Sequence, residues 1–124
     1  LVATVDLLPT LLDYVGVPAP ADLRGHSLRP LIEGESRPLR DAILGSMAHV
    51  RVSPRRPRTG TNPIVNSERA YWVRTPDWHY VWYRDRDTQE LYAAKSGLEA
   101  DVAASHPEVT RQLRARIEAW EGLR

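Results

Sequence analysis

Polar and apolar residues alternate most regularly in residues 69–84, where three of the four tryptophans lie. In residues 69–75 and again in 78–84, successive side chains are predicted to point to opposite faces of a strand. Aromatic and β-branched residues at this spacing are typical of a half-buried sheet. Between the two runs, Pro76 presets φ for a turn and Asp77 tolerates the next turn position. The pattern predicts an antiparallel hairpin.

Two further stretches are expected to extend the hairpin into a sheet of about four strands. A turn at residues 85–88 leads into a short strand at 89–92. Alternation at the end of residues 42–52 predicts another strand, which pairs with the hairpin. Residues 53–67 hold three prolines and three arginines. Because proline at this density prevents a regular ladder, they are predicted to form an exposed loop, either functional or disordered.

The N-terminal part of the chain carries two helical patterns. Apolar side chains recur at three- and four-residue spacing in residues 3–16, which predicts a helix with a buried face. Its apolar stripe consists of Val5, Leu8, Leu12 and Val15. Thr4 or Asp6 is expected to cap this helix, and Ser27 is expected to cap a short second helix at residues 28–33.

A third helix is predicted after residues 105–108, whose sequence Ser-His-Pro-Glu matches a capping box. In that motif the Ser105 oxygen accepts an N–H of the first turn, and Glu108 reaches back. The apolar residues of this helix share one face: Val109, Leu113, Ile117 and Trp120. The predicted fold class is α+β, with a small antiparallel sheet of about four strands packed against a C-terminal helix.

Composition narrows the chemistry that the chain can perform. A length of 124 residues fits one domain, and a net charge of +1 means that a charged partner must be argued from local clusters. The absence of cysteine excludes disulfides, a cysteine nucleophile and thiolate metal sites. No apolar run reaches membrane-spanning length, so no membrane partner is predicted. The chain starts without methionine, so we expect a piece of a longer protein and assign no compartment.

Four histidines are the first candidates for metal ligands or general bases: His26, His49, His79 and His106. No two of them share a helix or strand face at ligand spacing, so no metal site is predicted. Asp85 and Asp87 flank a turn, but the glycine and the later glutamate of a calcium loop are missing. Ser27 and Ser46 have no partner base that the pattern identifies. No catalytic residue is therefore assigned.

Arg55, Arg56 and Arg58 form a positive cluster inside the predicted loop. Such a cluster can contact a phosphate or another anion. A solvated loop is the more common meaning of a charge run, and it is the preferred interpretation here. Residues 53–67 contain no aromatic side chain that could stack on a base, so nucleic acid is not predicted as a partner.

Three stretches, in the same order and at similar spacing, resemble the C-terminal part of sulfatases. They are TVDLLPTLLDYVGVPAP (4–20), LRGHSLRPLIEG (23–34) and VRTPDWHYVWY (73–83), the last followed by ELY (90–92). The resemblance covers nearly the whole chain, and residues 53–67 are its least typical part. His79 stands where the family usually has lysine.

The resemblance implies a parent protein with an alkaline-phosphatase-like α/β catalytic domain. In such a protein, residues 1–41 would form a helical segment that joins the catalytic domain to the C-terminal subdomain, and residues 42–124 would form that subdomain, a sheet with a helix. The N-terminal helix would belong to the α/β catalytic domain. The parent would hydrolyse sulfate esters through a formylglycine beside a divalent metal, usually calcium. The cysteine form of the motif that generates formylglycine, Cys-x-Pro-x-Arg, is absent from this chain, because the chain contains no cysteine. No cofactor is therefore expected in the chain itself.

The leading hypothesis is a C-terminal sulfatase fragment that braces the upstream catalytic domain of the same polypeptide. Candidates for the rim of the sulfate-ester site are His49, Arg55, Arg56 and Arg58, because positive charge near a sulfate ester aids binding. The alternative is a non-catalytic interaction or oligomerisation module that self-associates through an uncovered Trp/Tyr sheet. Anion or nucleic-acid binding by the arginine loop is a third, weaker hypothesis.

Overall fold

The computed structural model describes residues 1–51, 66–97 and 99–122. The chain divides into two compact units, Leu1–Ile43 (unit 1) and Leu44–Arg124 (unit 2). Within the described ranges no helix is both long and apolar enough to cross a bilayer.

Four antiparallel strands in sequential order form the sheet, which confirms the predicted α+β class. The strands are β1 (Ile43–Arg51), β2 (Asn66–Arg74), β3 (Trp78–Tyr83) and β4 (Thr88–Ala93). Because β2 begins at Asn66, the last two residues of the predicted loop belong to a strand. Residues 52–65 lie outside the described residues, so an exposed loop there stays a prediction.

The hairpin of β2 and β3 forms as the turn sequence predicts. Val73 pairs with Tyr80, and Tyr71 pairs with Trp82. At the turn, the Thr75 N–H donates to the Trp78 carbonyl at 2.8 Å, while the Trp78 N–H donates to Thr75 Oγ1 at 3.0 Å. The Trp78 N–H that closes the turn is therefore accepted by the Thr75 hydroxyl and not by the Thr75 carbonyl.

The core of unit 2 lies between one face of the sheet and α3 (Pro107–Glu121), which packs against β2 and β3. The sheet contributes side chains from three strands, and α3 contributes two; they are Tyr71, Val73, Tyr80, Trp82, Leu91, Leu113 and Ile117. Four of these are completely buried: Val73, Tyr80, Leu91 and Ile117. Large aromatic rings thus fill a core that contains no phenylalanine.

The start of α3 differs from the predicted capping box. Ser105 belongs to a 3₁₀ turn (Ala103–Ser105), where its N–H donates to the Val102 carbonyl at 3.0 Å. The helix begins at Pro107 with His106 at the N-cap position and has no side-chain cap. The capping box was therefore a wrong prediction, because the 3₁₀ turn holds Ser105 one position too early.

An ion pair between α3 and the β3–β4 turn fixes the helix on the sheet. Arg114 lies over the Trp82 ring at 4.3 Å and pairs with Asp87 Oδ1 at 2.9 Å. The same oxygen accepts the Trp82 indole N–H at 3.1 Å. That hydrogen bond, followed by the Arg114 charge, lowers the pKa of Asp87.

Replacing Arg114 with alanine is expected to destabilise unit 2 by about 1–2 kcal/mol, since the change removes a cation–π contact, an ion pair and stem packing. The free energy of unfolding from urea titration of the 124-residue chain measures the loss. Arg111→Ala is the matched control, because Arg111 is 72% exposed and pairs with the exposed Glu108 at 2.9 Å. Equal losses of unfolding free energy in the two variants would contradict the role of Arg114 in holding α3 on the sheet.

Unit 1 contains α1 (Leu7–Tyr14), preceded by a 3₁₀ turn, and the short α2 (Arg29–Ile32). Both predicted helices exist, with shorter bounds, and Gly16 ends the first one at φ +72°. The Ser27 hydroxyl accepts the Arg29 N–H at 3.1 Å, close to its predicted capping role.

The predicted buried stripe of α1 is wrong. Val5, Leu8 and Val15 are 55%, 51% and 71% exposed, whereas Pro9 and Thr10 are buried. The buried side of the helix is held by hydrogen bonds, because Thr10 Oγ1 accepts the Leu28 N–H at 2.9 Å.

Candidate functional site

Unit 1 is organised around one buried ion pair. Asp6 is fully buried, and Arg40 is 13% exposed. The two Arg40 Nη atoms lie 2.6 and 2.5 Å from the two Asp6 carboxylate oxygens. The carboxylate also accepts the Ala3 N–H at 2.8 Å and the His26 N–H at 3.0 Å. Asp6 therefore joins three separate segments of unit 1. Its side chain does not cap α1, although the sequence pattern had suggested that role.

Burial raises the pKa of Asp6, but hydrogen bonds from Arg40, His26 and Ala3 outweigh it and lower the pKa from 3.8 to about 2. Since the folded-state pKa is depressed, the carboxylate contributes its full stability above about pH 4. That contribution, about 2 kcal/mol, is expected to disappear as the pH falls toward 2.

Acid titration of Asp6→Asn against the unmodified chain tests this linkage. We expect the difference in unfolding free energy between the two proteins to shrink by about 2 kcal/mol between pH 5 and pH 2. Thermal unfolding followed by circular dichroism at each pH gives that difference. A difference in unfolding free energy that does not change with pH would contradict the lowered pKa of Asp6.

A wide apolar face of α1 is exposed. The side chains on it are between 48% and 71% exposed and comprise Leu7, Leu8, Leu11, Tyr14 and Val15. Nine of the eleven large hydrophobic residues that are exposed in the described structure belong to unit 1. Contiguous apolar surface of this kind marks an interaction site in soluble proteins. The sequence identified this apolar face but not that it is uncovered.

A cleft of about 390 Å³ beside α1 brings Asp13, His26 and Ser27 together. These are the residue types of a hydrolytic triad, so their contacts matter. The Ser27 hydroxyl donates to Asp13 Oδ2 at 2.6 Å, and Asp13 also pairs with Arg29 at 3.3 Å. The serine proton is thus directed to a carboxylate and not to an imidazole, which does not prepare a nucleophile.

The predicted substrate-rim residues fall outside what the structure describes. The backbone of His49 lies in β1, but its side chain is outside the described part, and so are Arg55, Arg56 and Arg58. Their assignment as rim residues stays a prediction.

The remaining histidines lie apart, in different surroundings. The His26 backbone binds Asp6, the His79 ring lies 6.2 Å from the Trp72 ring, and the His106 ring lies 4.9 Å from the Trp78 ring. Across residues 1–51, 66–97 and 99–122, no three His, Asp or Glu side chains come together in a group that could hold a metal ion. The donor set of this part of the chain therefore does not fit the calcium that the resemblance implies.

Sequence comparison gives relatives across most of the chain, although no family model matches it. N-acetylglucosamine-6-O-sulfatase of Bacteroides thetaiotaomicron is 32% identical over 93 residues, which are 74% of this chain and 15% of that protein. Human arylsulfatase K is 31% identical over 126 residues, covering 94% of this chain and 21% of that protein. The chain thus spans about a fifth or less of the length of the curated relatives it matches.

Solved structures share the fold. A putative sulfatase from Bacteroides thetaiotaomicron superposes with a TM-score of 0.73 at 24% identity, over 93% of this chain and 23% of that one. A phosphonate monoester hydrolase from Silicibacter pomeroyi superposes with a TM-score of 0.65 at 24% identity, over 90% of this chain and 23% of that one.

Proposed function

Because its sequence and fold are those of a C-terminal sulfatase region of the alkaline-phosphatase-like fold, we propose that this chain braces the catalytic domain of a sulfate-ester hydrolase. In this proposal the bond-breaking groups belong to polypeptide outside the 124 residues. The chain supplies an accessory lobe that holds the catalytic domain in its working shape and contributes to the rim of its site.

The exposed apolar face of α1 is the observation that carries the proposal. Complete burial of one leucine contributes about 1.5–3 kcal/mol, so covering several half-exposed side chains gives a stable contact. Leu7 and Leu11 lie one helical turn apart and are 58% and 64% exposed. A helix with this face is expected to pack into the layer of a larger α/β domain.

The division of labour also agrees with the chemistry of the chain. A sulfatase nucleophile made from cysteine cannot form here, because the chain contains no cysteine. The described residues do not gather a donor set for calcium. When bound in such an enzyme, the metal would neutralise charge on the sulfate ester. We assign both the nucleophile and the metal ion to the catalytic domain.

The relatives suggest the substrate class. The names N-acetylglucosamine-6-O-sulfatase and Delta 4,5-hexuronate-2-O-sulfatase belong to proteins that act on sulfated sugars. We propose that the parent protein of this chain also acts on a sulfate ester. His49, Arg55, Arg56 and Arg58 would then attract the anionic ester to the rim of the site.

Charged substitutions on α1 test the bracing role. Leu7→Asp combined with Leu11→Asp in the full-length polypeptide is expected to lower sulfatase activity at least about tenfold, because burying two carboxylates costs more than the 1.4 kcal/mol that a factor of ten requires. The same changes should leave the stability of the isolated 124-residue chain nearly unchanged, since both leucines are exposed there.

Ala115→Asp is the matched control, because Ala115 is an exposed position of another helix, α3. It should leave the activity of the full-length polypeptide intact. Full activity and unchanged thermal stability of the double α1 variant would rule out α1 as the bracing contact.

A further inference from the structure

The sheet has a second face, opposite α3, that carries its own row of aromatic rings. Along this face the Trp72 and His79 rings lie 6.2 Å apart, and the His79 and Tyr92 rings lie 6.5 Å apart. The row crosses β2, β3 and β4, and all three side chains are half-buried. Gly45 of β1 makes room for the Trp72 indole, since a Cβ there would lie 2.5 Å from its ring atoms.

The polar side chains on the two faces of the sheet differ in their hydrogen-bond and ion-pair partners. On the α3 side, the Tyr80 hydroxyl donates to Gln89 Oε1 at 2.8 Å, and Trp82 and Arg114 both bind Asp87. On the second face, the Trp72 indole N–H, the Arg74 guanidinium and the His79 imidazole have no hydrogen-bond or ion-pair partner among the described residues.

The charge of the second face is concentrated on Arg74. Arg74 lies directly opposite His79 in the ladder and is half-buried. Burial, and then the Arg74 charge, lower the pKa of His79. Among the residues whose side chains are described, the acid of this face is Glu90, which accepts the hydroxyls of Tyr92 at 3.0 Å and of Tyr83 at 3.4 Å. The half-buried guanidinium opposite His79 thus has no counter-charge among the described side chains.

We propose that this second face is a docking surface for a carboxylate-bearing patch of the same polypeptide's catalytic domain, with Arg74 as its anchor. Aromatic residues and arginine are the side chains enriched at the centres of protein interfaces. Arginine pairs with a carboxylate through two parallel hydrogen bonds. The relatives are about five times longer than this chain, so most of their polypeptide lies outside the matched region and has room for such a domain. The inference rests on the proposed function and adds a second contact to the one made by α1.

Two other occupants fit less well. Residues 52–65 contain three arginines and no Asp or Glu, so they cannot supply the counter-charge. A small sulfated sugar would also suit arginine and aromatic rings, but small-molecule sites are concave, whereas this row lies along a sheet surface. A sheet face that carries arginine and aromatic rings has the composition of a protein contact.

Hydroxyl-radical footprinting of the full-length polypeptide tests whether the face is covered. Mass spectrometry of the oxidised peptides compares Trp72 and Tyr92 with Trp120, which is 37% exposed on α3. We expect Trp72 and Tyr92 to react at least about tenfold more slowly than Trp120, because rings at an interface core are removed from solvent. Oxidation of Trp72 and Tyr92 within twofold of Trp120 would overturn the proposal.

Charge reversal tests the anchor. In Arg74→Glu, oxidation of Trp72 and Tyr92 should rise at least about fivefold, because two carboxylates would face each other. Arg74→Lys should keep most of the protection, and Arg111→Glu on α3 should not change it. Equal behaviour of Arg74→Glu and Arg111→Glu would overturn the anchor role of Arg74.

Two further outcomes separate this inference from its alternatives. Protection of Trp72 in the 124-residue chain by a sulfated monosaccharide, or protection that grows with the concentration of that chain alone, would overturn the proposal in favour of a sugar or of a second copy. If the α1 variants lose activity while Arg74→Glu has no effect, the bracing function stands and only the second contact fails.

Discussion

Replacing Asp6 with alanine is expected to destabilise unit 1 by about 3–5 kcal/mol, because it leaves a buried arginine without a counter-charge. Arg40 is 13% exposed and points both of its terminal nitrogens at the Asp6 carboxylate. The substitution also removes the acceptor of the Ala3 and His26 amides. No surface ion pair of unit 1 is expected to have a comparable effect.

Hydrogen exchange of the His26 amide reports this loss directly, because that N–H donates to Asp6. We expect exchange in Asp6→Ala to be faster by about two orders of magnitude, the factor that corresponds to about 3 kcal/mol. Glu35→Ala is the control, since Glu35 is 56% exposed and pairs with Arg37 at 3.4 Å. Similar exchange rates in the two variants would contradict the central role of the Asp6–Arg40 pair.

Replacing Ile117 with alanine is expected to destabilise unit 2 by about 2–5 kcal/mol, the cost of a large cavity in a packed core. Ile117 is completely buried, and α3 presents it together with Leu113 to the aromatic face of the sheet. The helix packs against β2 and β3, whose buried rings, such as Tyr80, are too rigid to fill the space left by a missing side chain.

Trp120→Ala is the matched control, because the spacing of apolar residues placed Trp120 on the same stripe as Ile117. In the structure Trp120 is 37% exposed, so its removal is expected to cost less than about 1 kcal/mol. Urea unfolding of the 124-residue chain, followed by tryptophan fluorescence for Ile117→Ala and by circular dichroism for Trp120→Ala, measures both. A larger effect at Trp120 than at Ile117 would contradict the packing described for α3.

The sheet could be predicted because its signals are local. Alternation in residues 69–84 and the Thr-Pro-Asp-Trp turn specify a hairpin without reference to distant residues. The strand ends were less certain, and β2 begins at Asn66, inside a stretch that reads as loop. Strand ends depend on the partner strand, which the local pattern does not contain.

Features that depend on distant residues could not be predicted. Asp6 is a plausible helix cap by local rules, yet its partners His26 and Arg40 lie 20 and 34 positions away along the chain. The stripe of α1 is apolar at helical spacing, and the pattern cannot say what covers it. The same limit applies to Arg74, because a local pattern cannot show that no described side chain supplies its counter-charge.

Hydrolysis of a chromogenic aryl sulfate in the presence of calcium tests the central claim most directly, when the purified 124-residue chain is compared with the full-length polypeptide. The account predicts turnover by the full-length polypeptide and none by the 124-residue chain above the uncatalysed rate. Turnover by the 124 residues alone would contradict it.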